Sequence, residues 1–182
     1  MRRSSGLLWV AVLGASVVVM AGCKGPEARP DVQVRVLKPE QATMTVYSDE
    51  ARGGAMSLTV PGYIDLRGDR SYRVCLSDIP DMAKLRIWGE LRVESVPEYT
   101  RFSPIPLDIS RDDIEDAKSD VLVVKVVFLP DEKHQVYAIP GAPTSIVSTR
   151  LEPGKDAVKE AEKQGKVLLV LRIGGRQFAP PR

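Results

Sequence analysis

Apolar and polar residues alternate along much of the chain, with the two-residue period of half-buried β-strands. The clearest segment runs from residue 84 to residue 94. Its apolar face carries Leu85, Ile87, Leu91 and Val93. Its polar face carries Arg86, Trp88, Glu90, Arg92 and Glu94. The pattern predicts a strand that covers a core on one side and meets solvent on the other.

Shorter stretches of the same kind recur along the chain, and they are rich in Val, Leu and Ile, which favour pleated surfaces. They cover residues 32–36, 44–47, 57–60, 72–76, 135–139, 146–151 and 167–173. Residues 121–129 differ because Lys125 is the only polar residue there, so we expect a central strand covered on both faces. Turn signals at Pro61-Gly62 and Arg67-Gly68-Asp69 separate neighbouring strands.

Two short segments carry helical signals. Ser110 lies three residues before Asp113, the spacing of a helix N-cap and its partner, and this predicts a helix that extends to about Lys118. A second helix is predicted over residues 155–164, with Gly165 as its C-terminal stop.

Many short strands with only two small helices are typical of a β-sandwich. We therefore expect residues 31–182 to form a single, mainly β domain. The arrangement expected is an immunoglobulin-like or transthyretin-like β-sandwich with two short helices. Antibody domains place a tryptophan between two disulfide-bonded cysteines, and this sequence lacks that framework, so an immunoglobulin likeness would be architectural.

The first 23 residues follow a different pattern. Arg2 and Arg3 precede an apolar run from Leu7 to Met20, which is too short to span a bilayer as a mature helix. The run is followed by Ala21-Gly22-Cys23. This ending resembles the lipobox of bacterial lipoproteins, with Met20 at the position where that family usually has leucine.

The resemblance implies that residues 1–22 are a signal peptide that is removed. Cys23 then becomes the N-terminus and carries covalent lipid, namely diacylglycerol on its sulfur and often a further acyl chain such as palmitate on its amine. Residues 23–30 would form a short polar linker that keeps the domain close to the membrane. The expected location is the bacterial cell envelope, and Lys24 after the lipidated cysteine favours the outer membrane, facing the periplasm.

Charge and cysteine content narrow the range of functions. The chain has 26 Lys and Arg against 24 Asp and Glu, and the two extra basic residues lie in the expected signal peptide. The remaining chain is near neutral and has no basic run, so a nucleic-acid partner is not expected. Once Cys23 is lipidated, Cys75 has no disulfide partner in the domain, and we expect it to be a small buried apolar residue.

Catalytic and metal-binding patterns are sparse. His134 is the only histidine and lies in a charged turn, so zinc and copper sites lack ligands, and no cofactor is expected. The weak metal candidate is a calcium site at Asp112, Asp113 and Asp116, although acidic residues also suit the first turn of a helix. The same acidic stretch supports a less favoured alternative, an Asp/Glu-dependent envelope hydrolase.

Trp88 is the leading candidate for a binding residue. It is the only tryptophan beyond the signal peptide, and it shares the polar face of its strand with Arg86 and Arg92. Tryptophan and arginine dominate binding hot spots. Either a helix or loop covers Trp88, or these three residues meet a partner.

The function expected from these features is non-enzymatic binding or structural support, with an envelope protein held near the membrane. The alternative is a glycan- or peptidoglycan-binding module with a concave aromatic surface around Trp88. Its other aromatic residues would come from Tyr47, Tyr63, Tyr99 or Tyr137.

Overall fold

The computed structural model describes residues 31–48, 54–94, 103–131 and 154–178. The strands within these ranges are β1 (Asp31–Lys38), β2 (Thr43–Tyr47), β3 (Ala55–Thr59), β4 (Gly62–Arg67), β5 (Arg70–Ser77), β6 (Ile87–Val93), β7 (Ile105–Asp108), β8 (Val123–Pro130) and β9 (Gly165–Ile173). The helices are α1 (Arg111–Lys118) and α2 (Ala157–Glu162), and a 3-10 turn covers Arg176–Phe178.

The described strands form two sheets. Sheet A has three strands in the order β4-β1-β7, and sheet B has six in the order β3-β2-β5-β6-β9-β8. Sheet A is mixed, because β1 is antiparallel to β4 and parallel to β7. The pairs in sheet B are all antiparallel. The protein is therefore mainly β with two short helices, as the sequence predicts, and its two sheets have the character of a β-sandwich.

One apolar core joins the two sheets. Sheet A contributes Val32, Val34 and Val36, which are each 0% exposed, and sheet B contributes residues such as Leu91 and Leu171. In β6 the buried and less buried positions alternate along the strand, as predicted. Every second side chain of such a strand is apolar and buried between the sheets. Burial of these side chains stabilises the packing of the two sheets, since apolar burial is the dominant favourable term in folding.

Two strands were not predicted. β4 lies between the two turn signals, where Ile64 and Leu66 point to the core. β7 is only four residues long and includes Pro106, which the sequence pattern alone marks as unfavourable to a strand.

The prediction of a central strand at residues 121–129 is wrong, but the expected cover on both faces is partly present. Val123 and Val127 pack against the main core, and a second apolar cluster, which includes Ala161 of α2, covers Val124, Val126 and Phe128. β8 is the last described strand of sheet B, and its side chains are half-buried or exposed. The strand with continuous burial is β9, which lies between β6 and β8 and is buried from Val167 to Leu171. The strands predicted at 135–139 and 146–151 lie outside the described residues.

Helix α1 begins as predicted. Ser110 is its N-cap, and the Ser110 side chain accepts the backbone N–H of Asp113 while the Asp113 carboxylate accepts the backbone N–H of Ser110. This reciprocal capping box satisfies two backbone donors that would otherwise be unpaired. Ile114 and Ala117 are the buried side of the helix and join the core.

Helix α2 is shorter than predicted and packs on the outer face of sheet B. Asp156 caps it by accepting the backbone N–H groups of Val158 and Lys159. Ala161 contacts the second, smaller apolar cluster over β8 and β9. Gly165 does not stop the helix but opens β9, where a Cβ atom would collide with the backbone oxygen of Leu129.

Tyr72 ties the two sheets together where the chain crosses from β4 to β5. Its hydroxyl accepts the backbone N–H of Arg67 at 2.7 Å and donates to the backbone oxygen of the same residue at 3.1 Å. The turn that follows places Asp69 at a φ of 54°, a left-handed conformation that aspartate tolerates better than most residues.

In the described part of the chain, no helix has the length and apolar character needed for a membrane span. The expected signal peptide (1–22), Cys23 and the linker (23–30) lie outside the described residues.

Candidate binding face

The candidate site lies on the outer face of sheet B, away from the core. We define the arginine–aromatic patch as Tyr47, Arg73, Arg86 and Trp88. The strand register places Tyr47 opposite Arg73 and Arg73 opposite Glu90, so these side chains share one face of three neighbouring strands. Trp88 lies opposite Cys75 on the same face, one row away.

Trp88 is held by two neighbours. The Tyr47 ring stacks on it with centroids 5.8 Å apart and an angle of 27° between the planes. The guanidinium carbon of Arg73 lies 4.8 Å from the centroid of the Trp88 ring. Aromatic stacking and cation–π contact each contribute about 0.5–1.5 kcal/mol, so the two neighbours together restrict the indole to one position.

Ion pairs continue this face toward β9. Arg172 donates to the carboxylate of Glu90 at 3.3 Å, and Arg92 contacts the carboxylate of Glu94 at 2.8 Å. Both pairs are partly exposed, so each contributes about 1 kcal/mol or less. The two pairs neutralise Arg172 and Arg92 and leave Arg73 and Arg86 as the other arginines of this face.

Cys75 lies beneath the patch and is 5% exposed, as expected for a buried thiol. Burial raises the pKa of the Cys75 thiol above its ordinary value, and Arg86 and Arg73 oppose part of this change by favouring the thiolate. Arg73 precedes Cys75 by two residues on β5, and Arg86 precedes Trp88, the cross-strand neighbour of Cys75, by two residues, so both lie near this sulfur. The thiol stays protonated at neutral pH and is a poor nucleophile.

The raised pKa of Cys75 predicts a loss of stability at alkaline pH. The usual pKa of a cysteine thiol is 9.0. Below that pH the Cys75 thiol is protonated in both the folded and unfolded states, and its contribution to the free energy of unfolding is fully present. Above that pH the unfolded thiol ionises first, which favours unfolding until the folded thiol also titrates. We expect the free energy of unfolding to fall in this range.

The measurement is urea unfolding of the Cys23→Ser chain, with and without Cys75→Ala, between neutral pH and about pH 10. Tyrosine and lysine titrate in both proteins, so the difference between the two curves isolates Cys75. Parallel curves would contradict the prediction.

An open groove adjoins the arginine–aromatic patch, between α2 and the outer face of sheet B. Its volume is about 630 Å³. Its basic lining residues are Arg92, Lys159, Lys166 and Arg172. Its acidic lining residues are Glu94, Asp156 and Glu162. Arg92 and Arg172 belong to both the groove and the neighbouring face, so the two surfaces are continuous.

The three predicted binding residues lie on this face, but each has a different surrounding and they do not form one cluster. Trp88 is half-buried, and in the described structure its covering groups are Tyr47 and Arg73 rather than a helix or loop. Arg86 is exposed and precedes β6, and Arg92 is paired with Glu94. Sequence reasoning missed Arg73, although its place on the polar side of the Tyr72–Leu76 alternation marks it as outward-facing.

The calcium candidates Asp112, Asp113 and Asp116 all belong to α1, but their surroundings differ. Asp112 is exposed, whereas the Asp113 carboxylate accepts the backbone N–H and hydroxyl of Ser110 at 2.6 Å and forms an ion pair with Lys125. A calcium ion would have to displace that lysine. Within the described ranges, no group of three or more His, Cys, Asp or Glu side chains is arranged to hold a metal ion.

The hydrolase alternative requires two carboxylates that face each other across a cleft. Asp112, Asp113 and Asp116 are carried by the single helix α1, and Asp113 is engaged by its cap. The groove beside α2 is lined by none of these three residues. His134 lies outside the described residues.

Comparison of the chain with protein-family models, curated proteins and solved structures finds no match.

Proposed function

We propose that this protein is a lipid-anchored, non-enzymatic binding module of the bacterial cell envelope that holds a protein partner near the membrane. The observation that carries the proposal is the arginine–aromatic patch, in which Trp88 is held between Tyr47 and Arg73 on the outer face of sheet B. Lipidation at Cys23 and a periplasm-facing, outer-membrane location are supported by the resemblance of residues 1–23 to the bacterial lipoprotein signal.

The patch has the composition of a binding hot spot. Tryptophan, tyrosine and arginine are the residues that most often dominate interface energies, because they combine large apolar area with hydrogen-bonding groups. A sheet holds them rigidly, so less side-chain entropy is lost on binding than on a flexible loop. A lipid anchor would add to this by raising the effective concentration of the domain at the membrane surface.

Glycan binding is the second candidate, because Tyr47 does lie beside Trp88. A sugar stacks on a free aromatic face, however, and the Trp88 ring already contacts both Tyr47 and Arg73. Tyr63 lies on β4 in sheet A, with Arg35 over its ring. Tyr99 and Tyr137 lie outside the described residues. These positions favour a protein partner over a polysaccharide.

The test is an affinity pull-down of the native, lipidated protein from crosslinked cells, read by mass spectrometry beside a Cys23→Ser form. We expect a partner that is recovered only with the intact anchor, and a recovery about tenfold lower for Trp88→Ala. Tyr63→Ala is the matched control, since it removes an exposed aromatic residue with its own arginine contact from the opposite sheet.

A pull-down with no partner above background contradicts the proposal. In that case, retention on immobilised peptidoglycan or polysaccharide tests the second candidate, and Trp88→Ala should abolish that retention. Equal recovery with Trp88→Ala and the intact protein would show that the partner binds elsewhere.

A further inference from the structure

We infer that the arginine–aromatic patch binds an acidic segment of the partner protein, with carboxylates of that segment directed to Arg73 and Arg86. The inference rests on the proposed function, since it names the chemistry of the partner at the same face.

The first support is the charge balance of this face. Four guanidinium groups lie on or beside it, at Arg73, Arg86, Arg92 and Arg172. Against them stand three carboxylates, at Glu90, Glu94 and Asp78, the last of which acts on Cys75 together with Arg73 and Arg86. The two glutamates are each paired with an arginine, Arg172 and Arg92. The face therefore keeps a net positive charge on a mature chain that is expected to be near neutral.

The second support is that Arg73 and Arg86 remain available for a ligand. In the described residues, neither is within salt-bridge distance of a carboxylate. Arg73 is exposed, and its guanidinium carbon lies 4.8 Å from the centroid of the Trp88 ring, a contact that uses none of its N–H groups as donors to a carboxylate. Arg86 is exposed just before β6. A guanidinium fork matches a carboxylate with two parallel hydrogen bonds.

The third support favours a protein over an anionic membrane surface. Interfacial binding of a membrane uses protruding apolar side chains together with basic residues. Trp88 is half-buried and held down by Tyr47 and Arg73, so it does not protrude. None of the large exposed apolar side chains of the described structure belongs to the patch; they are Met56, Tyr63, Val121, Leu122 and Leu129.

The shape of the surface suits an extended segment. Arg73, Glu90 and Arg172 lie side by side on three neighbouring strands, and Arg172 also lines the groove beside α2. A segment that begins at Arg73 and Arg86 can therefore continue across the sheet toward the groove. The groove lining is of mixed charge, with Lys159 and Lys166 beside Asp156 and Glu162, so the carboxylates of the segment are directed to the patch and not to the groove.

The experiment is a titration of the full chain, carrying Trp9→Phe so that Trp88 is the only tryptophan, with tryptophan emission excited selectively over that of tyrosine. The probes are a synthetic peptide of alternating Glu and Ser and a peptide of equal length with Gln in place of Glu. We expect the Glu peptide to change Trp88 fluorescence, with affinity that falls as salt is raised, and the Gln peptide to bind about tenfold more weakly or not at all.

The decisive variant is Arg73→Gln with Arg86→Gln, which should lower the affinity for the Glu peptide by about tenfold or more. Arg35→Gln is the matched control, because Arg35 also lies over an exposed tyrosine but on sheet A. If the double variant does not fold, Arg86→Gln alone is informative, since Arg86 is exposed and outside the strand.

Equal binding of the two peptides, or equal loss with Arg35→Gln, would overturn the inference. Arginine-dependent binding to phosphatidylglycerol vesicles without binding to the Glu peptide would overturn it in favour of a lipid surface. The proposed function fails separately, when the pull-down recovers no partner. A partner that is recovered equally well with Arg73→Gln and Arg86→Gln would defeat the inference alone.

Discussion

Replacing Leu91 by alanine is expected to lower the free energy of unfolding by about 2–5 kcal/mol. Leu91 is 0% exposed and lies in β6, where it is opposite Tyr72 of β5 and Leu171 of β9. It belongs to the core that joins both sheets, so the cavity would open between strands whose backbones are fixed by hydrogen bonds on both sides. Such a site collapses poorly, and the cavity adds to the loss of apolar burial.

The measurement is equilibrium urea unfolding of both proteins. If each unfolds in a single transition, the free energies of unfolding can be compared with one common dependence on urea concentration. Leu122→Ala is the matched control, because Leu122 is 43% exposed and its removal should cost about 1 kcal/mol or less. Similar losses for the two variants would show that Leu91 is not held in a rigid core.

Replacing Asp113 by alanine is expected to lower the free energy of unfolding by about 2–4 kcal/mol, for two reasons. The first is loss of one half of the capping box, because the Asp113 carboxylate accepts the backbone N–H of Ser110 at 2.6 Å. The other half, from the Ser110 hydroxyl to the backbone N–H of residue 113, remains. The second is that Lys125 would lose its carboxylate partner. The Lys125 side chain is only 20% exposed, so its charge is costly to leave unpaired.

Two further variants separate these contributions. Asp112→Ala removes an exposed carboxylate from the same helical turn and should cost only a few tenths of a kcal/mol, about the value of a helix-dipole contact. Adding Lys125→Met to Asp113→Ala should recover part of the loss, because the ammonium that lost its carboxylate partner is then removed; the recovery stays partial because Lys125 also donates to the backbone oxygen of Asp108. Failure of the double variant to recover stability would assign the whole effect to the cap.

The alternation of apolar and polar residues was sufficient to predict a strand where one face of that strand packs on the core and the other is exposed. The alternation around Leu91 predicted β6 and the orientation of Trp88, because a two-residue period places successive side chains on opposite faces. The capping residues Ser110 and Asp113 predicted α1 for a similarly local reason. Pairing between distant strands is not a local property, and this is where prediction failed.

The misplacement of β8 illustrates that limit. Its apolar run resembles a buried central strand, yet β9 takes the covered position and β8 follows it at the end of the described sheet. In β8, Lys125 reaches Asp113 in α1, a contact that no periodicity indicates. β7 was missed because Pro106 weakens the strand signal, although Val34 and Val36 of β1 hold it in place by pairing.

The candidate site was predicted only in part for the same reason. Alternation placed Trp88, Arg86 and Arg92 on one face, but the neighbour that covers Trp88 is Arg73 on the adjacent strand. Which residue of β5 lies beside Trp88 depends on the register of the two strands, and one residue of slippage would have replaced Arg73 by a core residue.

The place of β1 in sheet A has a consequence for the order of events during synthesis. β1 is made early but occupies the centre of its sheet, where Val34 pairs with Ile64 on one side and with Ile105 on the other. Until β7 emerges, one hydrogen-bonding edge of β1 remains open, and its buried valines lack part of their cover. The emerging chain would therefore keep an apolar strand with an open edge until β7 is synthesised, and a chaperone that binds apolar strands would act in this interval.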